Sequence, residues 1–106
     1  MKVYFQLGSP LDRLETDPGF DAGLTPEIVT MYRRRLQQLR ASLNEGDVAT
    51  SRALDMRSMP ERGADYFSTL LCRGSRLVIH LIGAKPRREV AVLEITQVKQ
   101  LVRRVK

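Results

Sequence analysis

The first half of the chain carries apolar residues at helical spacing. Between residues 26 and 43 they recur every three or four positions, which places them on one face of a helix. Thr25 is a suitable N-cap for this helix, and Pro26 suits its first position. A Ser-Pro pair at residues 9–10 predicts a shorter helix, preceded by a β-rich run at residues 2–7 that predicts a strand. The apolar stripe of the long helix consists of Ile28, Tyr32, Leu36, Leu39 and Leu43.

The second half changes to the alternating, β-rich pattern of strands. Three such runs lie at residues 65–72, 75–83 and 88–96, separated by short turn sequences. Helices followed by adjacent strands predict an α+β fold, in which the N-terminal strand and the helices pack on one face of an antiparallel sheet. The chain has 106 residues, so we expect a single domain over residues 1–106, with residues 100–106 as a basic C-terminal tail.

Alternation within the strands predicts which side chains face the core and which face away from the helices. The expected core face carries Phe67, Thr69, Leu71, Leu77, Ile79 and Leu81. The expected open side carries Tyr66, Ser68, Leu70, Cys72, Arg76, Val78 and His80. A half-open sheet with cations at its surface and edge resembles a surface that docks a phosphate backbone.

The chain is basic, with 18 Lys and Arg residues against 12 Asp and Glu and a formal net charge of +6. This balance favours a polyanion or an acidic protein as a partner, although it also serves solubility. Three consecutive arginines, Arg33, Arg34 and Arg35, lie beside or opposite the apolar stripe. They are interpreted either as a solvated helix face or as a contact for an acidic partner segment.

The single cysteine, Cys72, rules out a disulfide framework within the chain and fits a reducing compartment. We read it as a small, buried or half-buried filler. No apolar run approaches the length that crosses a bilayer. These features predict a cytoplasmic protein with no membrane contact.

Residues 11–42 carry a distinctive combination of residue types around the start of the long helix. The positions concerned are Asp17, Pro18, Phe20, Gly23, Pro26, Ile28, Val29, Tyr32 and Arg35. The pattern continues through residues 52–54 and returns at residues 75–81, where "SRLVIHL" looks like a central strand with an Arg-Leu pair. On these residues the chain resembles the RelE/ParE superfamily of type II toxin–antitoxin toxins, in its HigB-like (host inhibition of growth, or killer) branch. The resemblance covers about residues 1–96.

The resemblance implies a small α+β toxin whose sheet enters the ribosomal decoding site and cuts messenger RNA. It implies no metal and no cofactor, because the 2′-hydroxyl of the RNA itself attacks the adjacent phosphate. It also implies three partners: the ribosome, its mRNA and a cognate antitoxin, which in this branch is a helix-turn-helix protein. Operator DNA would then be contacted only through the antitoxin.

Candidate site residues follow from the same resemblance and from the open side of the sheet. Arg76 matches the arginine of the family's Arg-Leu strand, and Arg62 matches the basic position just after the family's turn. Together with Lys99 they are the candidate catalytic residues. Arg73, Arg57 and His80 are the candidate RNA-binding residues. Arginine suits charge neutralisation because its planar fork matches phosphate oxygens. The structural alternative for Arg76 is an ion pair on the sheet surface.

Three departures from the family pattern keep a second function open. Pro60 replaces the family's turn lysine, Leu70 replaces a strand arginine, and residues 96–99 replace a terminal acid–base motif. The alternative is a non-nucleolytic member of the superfamily. Such a protein would inhibit another target, such as DNA gyrase, or would be a decayed toxin that still binds its antitoxin.

Overall fold

A computed structural model describes residues 1–72, 74–84 and 88–97. The three helices are α1 (Pro10–Thr16), α2 (Pro26–Ala41) and α3 (Glu45–Thr50). The five strands are β1 (Val3–Phe5), β2 (Arg57–Ser58), β3 (Tyr66–Cys72), β4 (Ser75–Ile82) and β5 (Glu89–Gln97). The tail predicted at residues 100–106 lies outside the described residues, as do Arg73 and Lys99.

The strands form one sheet in the order β1-β5-β4-β3-β2, and the predicted α+β fold is confirmed. The pairs β2–β3, β3–β4 and β4–β5 are antiparallel, whereas β1 runs parallel to β5, so the sheet is mixed. The parallel pairing is possible because the helices and the other strands lie between β1 and β5 in sequence and form the crossover. The two-residue strand β2 carries no alternation, and the sequence pattern did not predict it.

Both predicted helix starts are confirmed. The Ser9 hydroxyl accepts a hydrogen bond from the Leu11 amide at 3.2 Å. The Thr25 hydroxyl accepts one from the Ile28 amide at 3.3 Å, with Pro26 in the first turn. Each cap satisfies an amide that has no partner within the helix. None of the helices in the described part of the chain is long and apolar enough to cross a bilayer.

The stripe of α2 packs against the sheet, as predicted, except at its end. Tyr32, Leu36 and Leu39 are fully buried in the core together with Leu77 and Ile79 of β4. Leu43 is 82% exposed, so its assignment to the stripe was wrong. The helix ends at Ala41 and the extended backbone of Ser42 turns the chain away, so residue 43 no longer follows the helical spacing.

The predicted core face of the strands is confirmed, but one residue changes side. Thr69, Leu71, Leu77, Ile79 and Leu81 are buried, and Phe67 packs against the same core. Cys72 was expected on the open side, yet it also packs against the core. A bulge between Leu70 and Cys72 pairs Cys72 with Ser75, which adds one residue to the alternation and reverses the direction of its side chain. Its half-buried position agrees with the role of a small filler.

The three consecutive arginines of α2 have three different environments. Arg33 donates to the carbonyl oxygens of Leu14 and Asp17 at 2.9 Å each and thereby anchors the end of α1. Arg34 is exposed. Arg35 is only 6% exposed, and its Nε donates to the Leu70 carbonyl of β3 at 2.6 Å. Only Arg34 therefore fits the predicted solvated or partner-contacting role.

A buried arginine joins α3 to the sheet. Arg88 donates to both carboxylate oxygens of Glu45, at 3.0 and 2.8 Å, and its Nη1 lies 2.8 Å from the Asp65 carboxylate. The hydrogen bonds with Glu45 and then Asp65 raise the pKa of the Arg88 guanidinium. This cluster holds α3 against the turn that precedes β3.

Candidate nucleic-acid interface

The sheet face turned away from the core is called the open face here. Strand register and the burial of the alternate residues assign Tyr4, Arg57, Tyr66, Ser68, Leu70, Arg76, Val78, His80, Ala91, Glu94 and Thr96 to it. Arg62, from the turn between β2 and β3, reaches across this face to Glu94. Four of the six predicted site residues, Arg57, Arg62, Arg76 and His80, therefore meet on one surface.

Arg76 lies on the open face, as predicted, and is held firmly there. Its Nε donates to the Ser68 hydroxyl at 2.7 Å, and its Nη2 donates to the Ser68 carbonyl at 3.0 Å. Its Nη1 donates to the Asp55 carboxylate at 3.1 Å, and its Nη2 also donates to the Asp55 carbonyl. With four bonds from five N–H groups, one N–H of Nη1 has no partner among the described residues. The side chain is 18% exposed.

Asp55 is the counter-charge of this arginine and was not singled out by the sequence. Its backbone lies in the left-handed region, with φ of 46°, which Asp tolerates better than most residues. The hydrogen bond from Arg76 is the main cause that lowers the pKa of the Asp55 carboxyl below its ordinary value, and Arg57 adds to it. Arg57 Nη2 lies 3.3 Å from the same carboxylate and is largely exposed. Arg57 therefore remains accessible to a ligand.

A second ion pair spans the open face. Arg62 Nη1 donates to Glu94 Oε2 at 2.5 Å, and both side chains are partly exposed. Strict alternation from the buried Val90 and Val92 would turn Glu94 toward the core. A bulge at Leu93 of β5, opposite the step from Val78 to Ile79, pairs Val78 with Glu94 and Ile79 with Val92, so Glu94 joins the open face. No signal in the sequence marks this bulge.

His80 stacks on Tyr66 of the neighbouring strand. The ring centroids are 4.0 Å apart and the rings are parallel within 3°. Gly63 lies against the Tyr66 ring, since a Cβ built on it would come within 3.2 Å of that ring. Tyr66 therefore contacts both the turn and His80. The sequence placed both residues on the open side but did not predict the stack.

The chemistry available on the open face is phosphate binding and proton transfer by side chains. Arg57, Arg62 and Arg76 supply cationic donors, and Glu94 and His80 supply a carboxylate and an imidazole, the side-chain types that most often transfer protons in enzymes. Among residues 1–72, 74–84 and 88–97, no group of three His, Cys, Asp or Glu side chains is placed to hold a metal ion. Arg73 and Lys99, the other two predicted residues, lie outside the described residues.

Comparison with known proteins places the fold. Neither a protein-family model nor a curated protein sequence matches this chain. A solved structure of a YoeB/ParE toxin from Agrobacterium tumefaciens matches with a TM-score of 0.59 and 16% sequence identity. The match covers 93% of this chain and 100% of that toxin. The likeness agrees with the RelE/ParE resemblance of the sequence at the level of fold, and this chain therefore has the fold of a YoeB/ParE toxin.

Proposed function

We propose that this protein is the toxin of a type II toxin–antitoxin module and cuts mRNA bound to the ribosome through its open face. The observation that carries the proposal is the position of Arg57, Arg62, Arg76 and His80 together on the exposed sheet face of a toxin fold. We assign it to the HigB-like branch on the residues around the start of α2. The proposed site of action is the cytoplasm, and the whole chain is taken as one domain.

The proposed reaction is transesterification within the RNA, which needs no metal or cofactor. The 2′-oxygen forms a bond to phosphorus, the bond to the 5′-oxygen breaks, and the products are a 2′,3′-cyclic phosphate and a 5′-hydroxyl. The 2′-hydroxyl proton passes to a base, a role that we assign to Glu94, and the 5′-oxygen receives a proton from a general acid. Arg76 and Arg62 are assigned to the negative charge that grows on the phosphate oxygens. Lys99 is retained as a third candidate.

The proposed partners are a helix-turn-helix antitoxin, the ribosome and mRNA, with operator DNA reached only through the antitoxin. The net charge of +6 suits an acidic antitoxin segment as well as RNA. Arg34, exposed on the helical side of the molecule, leaves a cation for a protein partner while the open face holds RNA. Arg73 and the basic residues of the segment 98–106 contribute to the net charge.

A non-nucleolytic toxin remains the second candidate, and one observation favours it. Arg76 and Arg62 are each already paired with a carboxylate, Asp55 and Glu94. An arginine paired with a carboxylate attracts phosphate less strongly than a free arginine. Such pairing is expected if the open face no longer binds and cuts RNA. In that case the protein would inhibit another target, such as DNA gyrase, or would bind its antitoxin without activity.

Induced expression tests the proposed function. We expect expression of the chain to stop growth, and mapping of transcript 5′ ends to reveal new ends within translated regions soon after induction. The new ends should carry 5′-hydroxyl groups, because the reaction leaves the phosphate on the upstream fragment. Arrest of growth without new 5′ ends would contradict the nuclease and favour the second candidate.

Replacing Asp55 tests whether Arg76 is available to phosphate. Asp55→Asn removes the counter-charge of Arg76, so we expect tighter binding to single-stranded RNA. We also expect a plot of log affinity against log salt that is steeper by about 0.7, the change for one added phosphate contact. Asp12→Asn, the same charge change on the exposed side of α1, is the control and should leave the slope unchanged. An unchanged slope in Asp55→Asn would mean that the ion pair with Asp55 does not keep Arg76 from phosphate.

A further inference from the structure

Four residues form one row across the open face, each on a different strand. Register pairs Tyr66 of β3 with His80 of β4, His80 with Ala91 of β5, and Ala91 with Tyr4 of β1. Their neighbours along each strand, such as Phe67, Ile79, Val90 and Phe5, face the core. All four side chains of the row therefore project from the same side of the sheet.

The row contains three rings and one gap. Tyr66 and His80 are already stacked at 4.0 Å, and Gly63 lies close to one edge of the Tyr66 ring. The far face of His80 is turned toward Ala91, whose side chain is a single methyl group. Beyond Ala91 stands Tyr4, which is 42% exposed. The space above Ala91 is thus bounded by an imidazole on one side and a phenol on the other.

The space between His80 and Tyr4 is wide enough to admit one flat ring. His80 and Tyr4 are two strand spacings apart, which is roughly 9.6 Å between their backbones. A base held between two rings needs two stacking distances of roughly 3.4 Å each, the rise per base of a nucleic-acid strand. The exposed Tyr4 side chain has to turn toward Ala91 when a base enters, and this turn closes the difference. A leucine or phenylalanine at position 91 would fill the same space.

We propose that Tyr4, Ala91 and His80 form a slot that holds one unstacked base of single-stranded RNA. The proposal rests on the proposed function of the open face and names where a base is bound. A base fits better than an isolated aromatic ligand because cations border the row. Arg62, which directly precedes Gly63, extends to Glu94. Arg57 lies on β2 and pairs with Ser68 of β3. A strand whose phosphates contact these arginines can turn a base inward onto His80.

Binding of two RNA strands tests the slot. One is an eight-nucleotide strand of adenosines, and the other has the same ribose-phosphate backbone without bases. We expect the wild-type chain to bind the strand with bases at least about fivefold more tightly, because stacking of one base on aromatic side chains is worth that much or more. Ala91→Leu, which fills the slot, and Tyr4→Ala, which removes one wall, should each abolish this preference. Both should leave binding of the abasic strand within about twofold of wild type, since the arginines are unchanged.

Ala91→Ser is the matched control, because it keeps a small side chain and should retain the preference. Thermal unfolding of each variant checks that the fold is intact. If Ala91→Leu does not fold, Tyr4→Ala alone tests the slot. Retention of the base preference in Ala91→Leu or in Tyr4→Ala would overturn the slot while leaving RNA binding in place. Equal binding of both strands by the wild type would overturn it as well. Failure of the wild type to bind either strand would also overturn the slot, whereas the proposed function fails only if induced expression produces no new transcript 5′ ends.

Discussion

Arg76→Ala is expected to abolish growth inhibition and to lower the rate of transcript cleavage by roughly 100–1,000-fold, as loss of one oriented donor to a transition-state oxyanion does. Ser68 and Asp55 hold the guanidinium through four hydrogen bonds, so its orientation is set before RNA arrives. Its remaining N–H of Nη1 is the group available to a phosphate oxygen. The measurement is the rate at which new transcript 5′ ends appear after induction, together with the growth curve.

Three further variants separate catalysis from folding in this test. Arg76→Lys keeps the charge but loses the fork, so it should recover little activity. Arg34→Ala removes an exposed arginine from the helical side and should remain toxic. Arg62→Ala should do less harm than Arg76→Ala, because its side chain is more exposed and starts from a turn. Full toxicity of an Arg76→Ala protein that unfolds at the wild-type temperature would exclude the nuclease assignment of this residue.

Leu36→Ala is expected to lower the free energy of unfolding by about 2–5 kcal/mol. Leu36 is fully buried in the middle of the α2 stripe, between Tyr32 and Leu39 in the same core, so truncation leaves a cavity that its neighbours fill only in part. Equilibrium unfolding in urea measures the change, which should appear as a lower midpoint with an unchanged slope.

Leu43→Ala is the matched control for this prediction. It makes the same chemical change a short distance along the chain, but Leu43 is 82% exposed and lies past the end of α2. Its effect should stay within about 0.5 kcal/mol, the usual range for surface positions. Similar losses in both variants would mean that the stripe of α2 is not its packing face.

The elements whose signals are local could be predicted well. The α2 stripe and its cap were predicted because capping and helical spacing depend on residues a few positions apart. The side of β4 that carries Arg76 and His80 was predicted because alternation is regular through that strand. Leu43 was assigned to the wrong environment because the apolar spacing continues to this residue, although the helix has already ended at Ala41.

The candidate site could be predicted only in part, for a different reason. Arg76, Arg57 and His80 lie on predicted positions of the open face, but their partners could not be inferred. Asp55 and Ser68 reach Arg76 from a loop and a neighbouring strand, across 21 and 8 residues of sequence. Contacts between residues that are distant in sequence leave no periodic signal, so the neutralisation of Arg76 appears only in the folded chain.

The amino-acid pattern alone is sufficient to predict the α+β class, the buried face of α2 and the side of β4 that faces away from the core. Those features follow from hydrophobic periodicity, which is a property of each segment alone. The tertiary structure decided that a bulge brings Glu94 to the open face beside Arg62 and that β1 runs parallel to β5. It thereby set Tyr4 across Ala91 from His80. Bulges and strand order depend on which strands become neighbours, and that is settled by the packing of the whole sheet rather than by any one segment.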